Sequence, residues 1–194
     1  MILNHTLPSV NGKEIDRALL SKTRLRIYIY LLRNGKKSLG EIHENVGVEE
    51  DDEGESKLLS KAGIARHCVI LEKAGLLNAE AIFSGSKGIR KAYRASQRPM
   101  WAEMAMMRGI DPETIPDEVY RKMDELAQHP RYLQIVREVV PESADLSLMR
   151  QKEQYDRVTK EGREMVFKRI QQDPELEPIF EKGFKLFYER LRTG

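Results

Sequence analysis

Four cations fall within the eleven residues SGSKGIRKAYR, positions 84–94, and no carboxylate interrupts them. Lys87 sits in a Gly/Ser turn, and Arg90, Lys91 and Arg94 follow around Ala92 and Tyr93. A basic hairpin tip of this kind can reach a phosphate backbone or a minor groove. The plainer role for such cations is to discourage edge-to-edge strand pairing. Upstream, the stretch LSKAGIARHCVILEKAGLL carries Lys61 and Arg66. There Ile64, Cys68 and Leu71 recur at i, i+4, i+7 and define an inward helical face, so Lys61, Gly63, Ala65 and Arg66 point largely elsewhere. A guanidinium on that outer surface can pair bidentately with guanine.

Other chemistries lack their residues. The chain has no P-loop, no GxGxxG after a strand, no GxSxG and no HExxH, so no enzyme activity is expected. Cys68 is the single cysteine, which rules out an internal disulfide and suits a reducing, cytoplasmic setting. His43, His67 and Cys68 are the only soft-ligand set to consider. His67 and Cys68 are adjacent, and neighbours on a helix diverge by about 100°. Neither a metal nor a cofactor is expected.

The elements that must position the cations follow from local patterns. Ser60 suits an N-cap, and Gly75 suits the left-handed residue that ends a helix. Ahead of that helix, Ser38 and Glu41 form a capping box; Leu39, Ile42 and Val46 supply an inner face, and Gly47 a stop. Earlier still, Ile15, Leu19, Leu25, Ile29 and Leu32 make a helical stripe with a break near Ser21, ending at Asn34-Gly35. Arg24, Arg26 and Arg33 are expected to face solvent, with Tyr28 and Tyr30 partly buried. Residues 1–12 read as an extended lead-in. After Gly75, a strand runs from Leu76 to Phe83, turns, and returns through Arg94. Three helices followed by a basic hairpin are the anatomy of a winged helix-turn-helix.

One segment departs from that plan. EEDDEGESKL separates Val48 from Leu59, where a turn of two or three residues is usual, and Glu49–Glu55 holds six acids in seven residues. Self-repulsion favours a solvated, mobile loop that either projects away from a polyanion or opposes its approach. Alternatively, the following helix starts early, capped by Ser56, with Leu58 and Leu59 inward. The charge distribution fits a polyanion partner nonetheless. Residues 1–97 hold 16 Lys and Arg against 12 Asp and Glu, a net of +4, with half of those acids in this one cluster; residues 98–194 hold 17 against 19, a net of −2. The basic excess belongs to the N-terminal half.

These stretches resemble the ArsR-type regulators. ALLSKTRLRIYIYLL is similar to the family's first conserved helix, SLGEIHENVGV to its second, and LSKAGIARHCVILEKAGLL to its recognition helix and following strand; the basic hairpin matches its wing. The resemblance covers about residues 13–96. It implies that Ser60, Lys61, Gly63, Ala65 and Arg66 lie at the DNA major groove and that Lys87, Arg90 and Lys91 are wing contacts. His67 matches a family histidine that is more often structural than a ligand. The family's thiolate metal site needs two cysteines and does not carry over. Two departures stand out: the acidic insert, and Ala65 where the family has a serine.

Gln97-Arg98-Pro99 breaks the pattern and marks a boundary between a 1–97 DNA-binding domain and a 98–194 helical dimerisation or regulatory region. MWAEMAMMRG, with four of eight methionines and the only tryptophan, reads as core or subunit interface. A helix over 117–128 with Val119, Met123 and Leu126 inward ends at His129-Pro130, and the next carries Tyr132, Leu133, Val136 and Val140. Between Ala144 and Gln172, Leu148, Tyr155, Val158, Met165 and Phe167–Ile170 form a sparse stripe. Pro174 and Pro178 bracket a turn before a final amphipathic helix with Ile179, Phe180, Phe184, Phe187 and Leu191. No 18-residue apolar run offers a membrane span.

The expected fold is therefore mainly α: a winged helix-turn-helix, three helices plus a β-hairpin wing, followed by an all-helical C-terminal region. The expected function is sequence-specific binding of double-stranded DNA as a homodimeric transcription regulator, with room for a small-molecule or protein effector. A dimer follows from geometry too, since one recognition helix reads only a few base pairs. The alternatives are a winged-helix protein-interaction module and a non-specific chromosome-associated protein.

Overall fold

The computed structural model describes residues 17–50, 56–83, 89–98, 102, 111–140, 162, 164–166 and 168–182. Within them the chain is mainly helical, with a small three-stranded antiparallel sheet. The elements in order are α1 (Lys22–Asn34), β1 (Lys37–Ser38), α2 (Leu39–Val46), β2 (Val48–Glu50), β3 (Ser56–Leu58), α3 (Lys61–Lys73), β4 (Leu77–Phe83), β5 (Ile89–Ala95), α4 (Asp117–Leu126) and α5 (Pro130–Val139). A 3-10 turn, Pro112–Thr114, precedes α4, and helical turns recur at 164–166, 168–171 and 177–182.

The expected helix break is present. Residues 17–19 are helical, the chain turns at Leu20, and Ser21 caps α1 by accepting from the Arg24 N–H. Thr23, Leu25, Ile27, Ile29 and Leu31 are all buried, so α1 is enclosed on more than one side. That overturns the solvent-facing expectation for its arginines, which are half-buried and donate to carbonyls. Arg24 reaches Ala18 O, Arg26 reaches Val48 O, and Arg33 reaches Val140 O and, at 3.0 Å, Arg137 O. Long side chains can bury their stems this way and still deliver the head to a polar group. Gly35 ends α1 at φ +70°, and a Cβ there would lie 2.8 Å from Gln128 Oε1 and 3.0 Å from a Leu133 methyl. The backbone sign favours glycine, and a Cβ would also have to displace the ends of two side chains.

The capping box opens α2 as expected: the Ser38 hydroxyl accepts from the Glu41 N–H, and the Glu41 carboxylate accepts from the Ser38 N–H at 2.8 Å. Ile42 and Val46 point inward with Leu39 half-buried, while Ile64, Cys68 and Leu71 of α3 face them in one core. Ser60 caps α3, accepting from Gly63 N–H at 3.0 Å, which settles the start of that helix. The alternative start at Ser56 is excluded, because Ser56–Leu58 is a strand and Leu58 is 72% exposed. At the other end Leu76 N–H donates to Leu71 O and Gly75 N–H to Glu72 O, with Gly75 at φ +73°. These two bonds close the helix end in a Schellman motif.

The acidic insert also departs from expectation. Its flanks are not a loop but an antiparallel pair, with Val48 opposite Leu58, Glu49 opposite Lys57 and Glu50 opposite Ser56. Anchors at the root explain why repulsion does not dissolve the pair: Leu59 N–H donates to Gly47 O at 2.7 Å, His43 Nε2 meets Leu59 O at 2.9 Å, and Arg26 holds Val48 O. Residues 51–55, which hold most of the acids, lie outside the described residues.

In the larger sheet the order is β1-β5-β4, with Leu77 opposite Ala95, Phe83 opposite Ile89, and Lys37 opposite Tyr93. The chain then enters a second core. Ile115, Val119, Tyr120, Met123, Tyr132, Ile135 and Val136 pack with Val166, Ile170, Leu176 and Phe180, and the Tyr132 and Phe180 rings stack at 5.9 Å. His129 caps α5. Met165, expected inward, is exposed, whereas Val166 and Ile170 take the buried positions. Leu32 and Val140 touch both cores. Residues 1–16, 84–88, 99–101, 103–110, 141–161, 163, 167 and 183–194 also lie outside the described residues, and with them the expected hairpin turn, most of the methionine run, Leu148, Tyr155, Val158, Phe167, Phe184, Phe187 and Leu191. Among the described residues no helix is long and apolar enough to cross a membrane.

Candidate nucleic-acid interface

The inward stripe of α3 is fully buried at Ile64, Cys68 and Leu71, and this sets where every other side chain on the helix points. Opposite that stripe, helical spacing lines up Ala62, Arg66, Val69 and Lys73, and all four are exposed. Lys61 and Ala65 fall on one flank and Gly63 on the other. Lys61 is exposed but leans toward the first turn of α2: its Nζ lies 3.8 Å from the position a Cβ on Gly40 would take. Ser60 is exposed and holds the Gly63 N–H, which leaves its own O–H available as a donor. A Cβ on Gly63 would meet only Ser60 Oγ, at 3.4 Å, so the fold itself leaves room there.

The five expected residues of this region are thus on adjacent turns of one helix, spread over three directions. Arg66 is the one cation among them on the outermost line, and no carboxylate pairs with it among the described residues. Ala62, Val69 and Lys73 belong to the same outer line and were not among the residues singled out from sequence. The signal was available: each lies opposite the 64–68–71 stripe.

The hairpin separates its cations. Side chains alternate along a strand, so Arg90 and Lys91 stand on opposite faces of β5. Lys91 lies on the face that carries buried Tyr93 and Ala95, and its Nζ approaches Glu72 of α3 at 3.8 Å with its side chain 60% exposed. Arg90 is exposed, with no carboxylate partner among the described residues. Arg94 does not join the positive tip. It is buried, pairs with Glu80 Oε1 at 2.9 Å, and serves the base of the hairpin. Glu80 also holds Lys36 at 3.1 Å. Lys87 lies outside the described residues.

Below the hairpin is a buried polar cluster that sequence reasoning missed. Asp124 of α4 is 0% exposed; it accepts from Gln97 N–H at 2.6 Å and from the Asn78 side-chain amide of β4. Burial pushes its carboxyl up to about 6, against the lowering effects of the Gln97 hydrogen bond and the nearby Arg94 charge. Tyr132 donates to Gln97 Oε1 at 3.3 Å. Arg98 pairs with Asp117 at 3.0 Å and stacks over the Tyr120 ring, 4.6 Å from its centroid. An aspartate in an otherwise amphipathic helix gives no local sign that its partners lie 27 and 46 residues away.

Burial, with a smaller contribution from Glu72, pushes the Cys68 thiol up to about 12, so it stays protonated and packs as a small apolar group. Among the described residues no group of three or more His, Cys, Asp or Glu side chains is arranged to hold a metal ion. The arrangement therefore offers hydrogen-bond donors and positive charge on an exposed helix face beside a hairpin. No family model matches the chain, and no curated protein matches it.

Proposed function

We propose that this chain is a sequence-specific double-stranded DNA-binding transcription regulator that acts as a homodimer, built on a winged helix-turn-helix of the ArsR type and working in the cytoplasm. The observation that carries the reading is the outer line of α3. A helix capped at Ser60 presents Ala62, Arg66, Val69 and Lys73 outward, and neither Arg66 nor Lys73 has a carboxylate partner among the described residues. Small residues beside an uncommitted guanidinium suit entry into a major groove, with Arg66 reading guanine and Ala62 available to a thymine methyl. Ser60, Lys61, Gly63 and Ala65 would border that contact. Arg90 would meet the backbone or minor groove, with Lys87 and Lys91 beside it. No catalytic step, metal or cofactor is part of this function.

The acidic β2–β3 hairpin favours a second reading, a module that docks on protein. Val48 and Leu58, a directly opposed cross-strand pair, are both exposed on it, next to the start of α3. Selection from a pool of random DNA duplexes near physiological salt separates the two, run beside a Lys87/Arg90/Lys91 triple-alanine variant. A two-fold palindrome, enriched by the natural chain and lost by the variant, is the expected result. Binding without enrichment points to non-specific chromosome association, and no retention even at low salt sinks the DNA reading in favour of docking.

A further inference from the structure

An open cleft of about 480 Å³ lies between the helix break at residues 17–21 and the C-terminal end of α3, lined by Arg17, Ala18, Arg24, Ile70, Lys73 and Ala74. That volume is in the range of small-ligand sites, about 300–1,000 Å³. Three of the six lining residues are cations from three different elements, and none has a carboxylate partner among the described residues. Arg24 is fixed in place: its Nε donates to Ala18 O and its Nη2 to Arg17 O at 3.3 Å. Partial burial lowers its pKa, and no carboxylate among the described residues offsets that effect. Its anchoring satisfies the carbonyl end of the 17–19 turn. The Arg17 and Lys73 side chains have no such acceptor among the described residues, yet they border the same opening. The remaining lining is apolar: Ala18 and Ala74 are buried and Ile70 is 41% exposed.

We propose that this cleft binds a small organic anion, a carboxylate or phosphate ester carried on a compact apolar group. The anion would sit against Arg17, Arg24 and Lys73, and the apolar group against Ile70, Ala18 and Ala74. Like charges gathered with no paired acid among the described residues repel one another, and a bound anion relieves that repulsion while adding charge-assisted hydrogen bonds. Ile70 and Lys73 ride on the helix that carries Arg66, whereas Arg17 and Ala18 precede the break. Occupancy therefore ties α3 to the segment before α1. Binding itself does not rest on the DNA reading; only its consequence for duplex affinity does.

The test is a titration of the isotope-labelled full chain with phenyl phosphate at constant ionic strength, read by the amide signals of Ala18, Ile70, Lys73 and Ala74 and the Arg24 Nε–H signal. Saturable shifts at these positions are expected, with inorganic phosphate binding at least about tenfold more weakly because it buries no apolar surface. Arg17→Gln and Lys73→Gln, both at exposed positions, are each expected to weaken phenyl phosphate about fivefold or more. Lys122→Gln, on α4, is the control expected to change nothing. Absence of saturation, equal affinity for the two phosphates, or indifference to both substitutions overturns the proposal. Duplex binding is measured on the same samples. Saturation by phenyl phosphate in a chain that retains no DNA upholds the cleft and removes the regulator; DNA binding without saturation does the reverse.

Discussion

At the scale of single residues, the two cations expected to matter most differ in what surrounds them. Arg66 stands on the outermost line of α3, and Arg90 on one face of a two-stranded hairpin. Arg66→Ala is therefore expected to relax base preference at one position per half-site, costing about 1–3 kcal/mol against the preferred sequence. Arg90→Ala is expected to weaken all duplexes alike and lower the slope of log affinity against log salt by about 1. Salt titrations on specific and scrambled duplexes distinguish the two, and equal effects would sink the division of roles. Asp124 supports a prediction of another kind. Its folded-state pKa of about 6 lies above the ordinary value near 3.8, chiefly through burial. Its contribution to stability is whole below pH 4, declines as pH rises through 6, and then levels about 3 kcal/mol lower. Asp173 slopes the other way, because the hydrogen bond from Arg131 at 2.7 Å holds its carboxyl below the usual range and its contribution is lost as pH falls. Urea midpoints from pH 4 to 7 should show the Asp124 decline in the natural chain and not in Asp124→Asn. An unchanged profile in that variant would assign the pH dependence elsewhere.

At the scale of elements, the β2–β3 hairpin is the feature that bears most on binding. It stands where a short turn would join α2 to α3, and Ser60 follows it by two residues. Asp51, Asp52, Glu53 and Glu55 fall in sequence between Glu50 and Ser56, outside the described residues. The screening length of about 8 Å at physiological salt confines their repulsion of a polyanion to the surroundings of the hairpin. Replacing the four by Asn or Gln is expected to tighten duplex binding roughly fivefold at 0.1 M salt, with the gain shrinking as salt rises. Fluorescence anisotropy with a labelled duplex reads this directly. A loss of affinity instead would mean that the hairpin supports the interface rather than opposing it.

At the scale of the whole molecule, the two cores share Leu32 and Val140, Arg33 of α1 closes the carbonyl end of α5, and the Asn78–Asp124–Gln97 cluster joins β4 to α4. Breaking one half away orphans buried donors at a cost of about 1–3 kcal/mol each. The halves are therefore expected to unfold together: urea curves followed by circular dichroism and by Trp101 fluorescence should coincide, and separate transitions would show independent units. Local patterns alone determined much of this protein. The break at Ser21, the Ser38–Glu41 box, the Ser60 cap, the Gly75 stop and the 64–68–71 stripe each depend on residues within a few positions of one another, where backbone donors must find partners and apolar side chains must share a face. Tertiary structure decided what depends on distant partners. It turned the arginines of α1 toward carbonyls of other segments and buried Arg94 against Glu80, away from the positive tip. It also paired the flanks of a strongly acidic stretch, because anchors from α1 and α2 hold its root. Charge and polarity in a sequence say that a group needs a partner; only the folded chain says which partner it has.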